Sequence, residues 1–103
     1  PVEQSEITEF FEALGPERAT GFLKTFMTEG DTYLDLLSGG TALQDAHRKE
    51  AHRLAGSAAV LGLVDLRRVL IEVEMQEGDA PPELTGVMPV WSAAKHKLQK
   101  HLT

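Results

Sequence analysis

Leu43, His47, Ala51, Leu54, Ala58 and Leu61 follow the i, i+3, i+4, i+7 spacing of one helical stripe, and no other feature constrains the fold as strongly. On a helix of about 100° per residue, these positions form a core face. His52 then lies roughly a quarter-turn off it and looks outward. One turn onward, its surroundings hold only Ala55, Gly56 and Ala59; one turn back they hold Asp45, Arg48 and Lys49. A glycine inside a helix costs about 1 kcal/mol against alanine. Gly56 therefore needs a reason, and clearance beside His52 supplies one.

The helical period recurs along the chain. Ile7, Phe10, Phe11 and Leu14 mark a short N-terminal helix with Ser5 as a candidate N-cap. Gly15-Pro16 ends it and starts the next, where Phe22, Leu23, Phe26, Met27, Tyr33, Leu34 and Leu37 give a broad stripe over about residues 17–38. After Ser38-Gly39-Gly40, Thr41 with Gln44 has the form of a capping box. It opens a central helix of about 20 residues that Gly62 ends. Asp65 then caps a helix with core positions Leu66, Val69, Leu70 and Val73 as far as Gly78, leaving Ile71 and Met75 off the stripe. Asp79-Ala80-Pro81-Pro82 cannot be helix interior. Leu84, Val87, Met88, Trp91, Ala94, Leu98 and Leu102 mark the last helix. Pro89 within that pattern makes its first turn irregular or delays the start.

No stretch alternates with period two, and no repeat or low-complexity run occurs. The expected fold is all-α: an up-down antiparallel four-helix bundle with a short extra N-terminal helix, one domain over residues 1–103. The connections are short, so any chemistry must come from helix surfaces. Cysteine is absent, which excludes disulfides and thiolate metal sites and fits a reducing compartment. A net charge of −6 with ten scattered Lys and Arg disfavours nucleic acid and anionic membranes. No apolar run approaches the roughly 20 residues of a membrane span, and no signal-peptide pattern opens the chain. Proteins are the expected partners.

The run His-x-Leu-x-Gly-Ser-Ala-x-x-Leu-Gly-x-x-x-Leu from His52 to Leu66 resembles the signature of histidine-containing phosphotransfer (HPt) domains. The likeness extends to Val73-Glu74 and departs at Ala55, where many members have lysine. The resemblance implies a cytoplasmic phosphocarrier of multistep two-component relays. Such a domain accepts a phosphoryl group on His52 from a receiver-domain aspartyl phosphate and passes it to another response-regulator receiver. It also implies that Glu74 holds the imidazole and that receiver domains and a hybrid histidine kinase are partners. Mg²⁺ comes with the receiver, so the chain needs no cofactor of its own.

The residues add detail to that reading. Arg48 and Lys49 are the nearest cations for a phosphorylated ring, and Ala55, Gly56 and Ala59 form the floor over which a partner approaches. No Gly-x-x-x-x-Gly-Lys-Ser/Thr motif and no glycine-rich nucleotide loop occurs, so the expectation is a carrier without autokinase activity. His47 falls on the core stripe, partly buried and hydrogen-bonded. His47 and His52 are five apart, not the i, i+4 of a helical zinc pair, so no metal site is expected. The missing lysine at Ala55 leaves an alternative: a helical bundle that docks receiver domains or dimerises without carrying phosphate.

Overall fold

The computed structural model describes residues 2–102, with side chains from residue 6 onward. Five helices and no strand occur among these residues: α1 (Val2–Leu14), α2 (Pro16–Ser38), α3 (Asp45–Val60), α4 (Val64–Met75) and α5 (Val87–Gln99). None of them is long and apolar enough to cross a membrane.

Each boundary has a local cause. Gly15 takes φ +88°, and Pro16 opens α2, where its missing N–H leaves no bond unmade. Ser5 falls within α1 rather than ahead of it, so it is not the expected cap, and its side chain lies outside the described residues. The expected capping box of Thr41 and Gln44 does not form either. Thr41 turns its hydroxyl back onto α2 and donates to the Leu36 carbonyl at 3.0 Å. Gln44 becomes the N-cap of α3, and its N–H donates to Nδ1 of His47 at 3.0 Å. The central helix is therefore 16 residues long. Leu43 stays ahead of it yet is buried, and its N–H donates to the Asp79 carbonyl at 3.0 Å.

Gly62 ends α3 at φ +73°. The Gly62 N–H reaches the Ala59 carbonyl at 3.1 Å and the Leu63 N–H reaches that of Ala58 at 2.9 Å, the paired bonds of a Schellman motif. Asp65 is not a cap but the second residue of α4, where a carboxylate favours the helix dipole. That helix buries Leu66, Val69, Leu70 and Val73, as its period predicts. Ile71 is half-buried and Met75 is exposed. The helix stops at Met75 rather than Gly78, because Gln76 turns extended. Pro89 is the third residue of α5, within the first turn, where helical N–H groups have no intrahelical acceptor.

Around the core, α2 meets α3 and α5, α3 meets α4, and α4 meets α5, while α1 packs on α2 and α3. The α2–α5 contact depends on Gly30. A Cβ there would overlap the six-membered ring of Trp91. The indole sits edge-on to Phe26 with ring centroids 5.6 Å apart, and its Nε1–H donates to Oδ1 of Asp31 at 2.8 Å. Lys95 reaches the same oxygen at 2.8 Å. These two donors, Lys95 foremost, hold the Asp31 carboxyl below its ordinary pKa.

A rigid buried indole cannot yield as a flexible chain end would. Gly30→Ala is therefore expected to cost about 1–3 kcal/mol of stability despite alanine's better helix propensity. Urea unfolding followed by circular dichroism checks this. An unchanged or raised midpoint would show that Trp91 has room to move.

Candidate functional site

His52 stands on α3 with its side chain 75% exposed, on the side that faces α4. Its Nδ1 lies 2.9 Å from Oε2 of Glu74, which projects from the last turn of α4 and is itself mostly covered. An ionised carboxylate only accepts, so the ring hydrogen sits on Nδ1. The lone pair is then left on Nε2, aimed away from the carboxylate and into solvent. This pairing joins two elements 22 residues apart, and it turns an exposed side chain into an oriented one.

The structure brings together some of the residues singled out above and separates others. Gly56 and Ala59 lie exposed on α3 beyond His52, and nothing lies within 4 Å of where a Cβ on Gly56 would stand. Packing does not demand a glycine there. Ala55 is not part of that floor. It is 4% exposed and belongs to the core, because three residues on from His52 is about 300° of helix rotation. Lys49 is exposed on the same outer side of α3.

Arg48 departs from the role of a cation free to meet phosphate. Its Nε–H donates to the Gln76 carbonyl at 3.0 Å, a terminal nitrogen donates to the Gly78 carbonyl, and the other donates to Oδ1 of Asp45 at 3.2 Å. The guanidinium is thus engaged on all three nitrogens and lies largely covered. Arg53, next to His52 in sequence, is also engaged. It donates to both oxygens of Glu50 at 2.9 and 2.7 Å and reaches Glu29 of α2 at 3.1 Å. The bond to Glu50, opposed in part by burial, raises its pKa further.

Two of the remaining histidines, His47 and His101, contact other residues of the fold. His47 receives the Gln44 N–H, while its carbonyl accepts the Tyr33 hydroxyl at 2.8 Å. Burial, with the charge of Glu50 second, pushes the Tyr33 hydroxyl up to about 12, so it remains a donor at physiological pH. His101 lies against Phe11 with ring centroids 5.8 Å apart, and His96 is exposed. Spacing could not reveal the reach of Arg48 across to α4. The only hint in the chain was its position one turn before His52, on the side facing α4.

Neither a curated protein nor a solved structure matches the chain. A family model for the Hpt domain matches residues 21–101, well over half of the chain and inclusive of α3, α4 and the His52–Glu74 pair. The chain therefore belongs to the Hpt-domain family, the histidine phosphotransfer domains of two-component phosphorelays.

Proposed function

We propose that His52 accepts a phosphoryl group from the aspartyl phosphate of one receiver domain and yields it to the aspartate of another. The observation that carries this reading is the 2.9 Å contact between Nδ1 of His52 and Glu74 on an otherwise open imidazole. With the proton held on Nδ1, the Nε2 lone pair attacks phosphorus. The nitrogen–phosphorus bond forms as the phosphorus–oxygen bond to aspartate breaks, and the carboxylate leaves with that electron pair. The ring retains its proton and gains positive charge, which the Glu74 carboxylate offsets. In the second transfer, the oxygen of the next aspartate attacks and the electron pair returns to Nε2.

Such a transfer needs positioning and charge stabilisation more than covalent machinery. Charge on the moving phosphoryl group is met in the receiver's own acidic, Mg²⁺-binding pocket, which is why this chain needs no cofactor. Gly56 and Ala59 leave the space that pocket must enter, and Lys49 is the exposed cation on that face. The helices of the bundle run up and down in alternation, as their short connections favour. The chain acts as one domain, in the cytoplasm, with receiver domains and a hybrid kinase as partners.

Incubation with phosphorylated receivers, followed by assay for acid-labile phosphate, tests the proposal. His52→Gln is expected to abolish transfer at unchanged helical content. Phosphate retained on that variant, or mapped to His47, His96 or His101, would contradict it. Receiver binding with no phosphohistidine at all would point to a docking bundle instead.

Gly56→Gln tests the approach route. Nothing within the fold opposes the longer side chain, so the variant is expected to fold, with transfer slowed by about tenfold or more. Parental rates in both Gly56→Gln and Ala59→Gln would place the partner elsewhere.

A further inference from the structure

We infer that Arg48 is a positioning residue for His52, acting through the end of α4 that presents Glu74. Arg48 and His52 are one turn apart on α3; His52 reaches Glu74 of α4 and Arg48 reaches the residues directly after it, forming two successive rungs. The first rung runs from the guanidinium to the carbonyls of Gln76 and Gly78, and the second from the imidazole to Glu74. Gln76 is the C-cap of α4, two residues beyond Glu74.

The last carbonyls of a helix have no intrahelical donor and carry the negative end of its dipole. The two carbonyls that Arg48 meets lie just past that end, on the extended C-cap Gln76 and on Gly78, and the forked donors of a guanidinium can serve both at once. Here the fork is held in turn by Asp45. Neighbouring bonds tie the same segment: Leu43 N–H to the Asp79 carbonyl at 3.0 Å and Gln76 Nε2 to that of Ala80 at 2.9 Å. Gly78 takes φ +81° within this segment, so a turn only glycine adopts freely lies inside the clamp.

Without the guanidinium, the residues that directly follow the final turn of α4 lose a tether to α3, and that turn holds Glu74. The carboxylate then spends less time against Nδ1, and the exposed ring reverts toward the tautomer mixture of free histidine. Arg48 acts on the imidazole without touching it.

The consequence for transfer rests on the phosphocarrier reading, but the first readout does not. In ¹⁵N-histidine-labelled protein, at a pH where the ring is neutral, long-range ¹H–¹⁵N spectra report which nitrogen of His52 is protonated. The parent is expected to show Nδ1–H predominantly. Arg48→Met keeps the side-chain stem and removes the donors; it is expected to shift His52 toward the Nε2–H form while helical content stays parental. Glu74→Ala is expected to show the fully released ring. Arg48→Lys, which keeps the charge without the fork, should fall between parent and Arg48→Met. In transfer assays Arg48→Met is expected to be slower by about tenfold, the low end of what losing an outer partner costs a metal-bound imidazole. A parental His52 spectrum in folded Arg48→Met, or in Arg48→Lys should the former not fold, overturns the inference. If the spectrum shifts and no variant or parent ever accepts phosphate, the positioning role stands and the phosphocarrier reading falls.

Discussion

The close contact of α3 with α4 is the constraint on which the site depends. Three of the four residues that α3 buries are alanines: Ala51, Ala55 and Ala58, with Leu54 the exception. Small buried side chains let a helix approach its neighbours closely. These two helices meet more extensively than any other pair in the chain. That proximity lets a carboxylate on one helix reach an imidazole on the other while the ring itself stays exposed. The Schellman turn at Gly62 keeps the connection short, so the relative position of the two helices is set at that end too.

Charge around His52 is arranged differently from what spacing suggests. Arg48 serves the backbone of the α4–α5 connection, and Arg53 serves Glu50 and Glu29. The group in contact with the imidazole is an anion, and the chain as a whole is acidic at −6. An anion beside Nδ1 favours a ring that becomes positive on gaining a phosphoryl group at the other nitrogen. It does nothing for the phosphoryl oxygens themselves. On our reading their charge is met by the receiver, with an exposed Lys49 adding at most the roughly 0–1 kcal/mol usual for a surface pair.

The helical stripes were legible because burial follows a 3.6-residue period. Leu66, Val69, Leu70 and Val73 are core for the reason the pattern gives, and His52 faces outward by the same geometry. Boundaries were less legible because the short polar residues that cap a helix can equally serve its neighbour. Thr41 had the spacing of a cap for α3 and satisfies α2 instead. Ala55 illustrates the limit of reading a face by proximity in sequence. It follows His52 by nearly one turn, yet that small angular difference puts its methyl in the core. The Arg48 clamp and the clearance of Gly30 for Trp91 join residues 28 or more positions apart, and a single sequence holds no record of such pairings.

If Glu74 fixes the proton on Nδ1, Nε2 is the nitrogen that reacts. The most direct measurement is the regiochemistry of the phosphorylated protein, read from ³¹P–¹⁵N couplings or ring-nitrogen shifts after phosphorylation by a receiver. Phosphate is expected on Nε2 of His52, with Nδ1 still facing Glu74. Phosphate on Nδ1 would contradict it, since that nitrogen would have to abandon the carboxylate that is said to orient the ring.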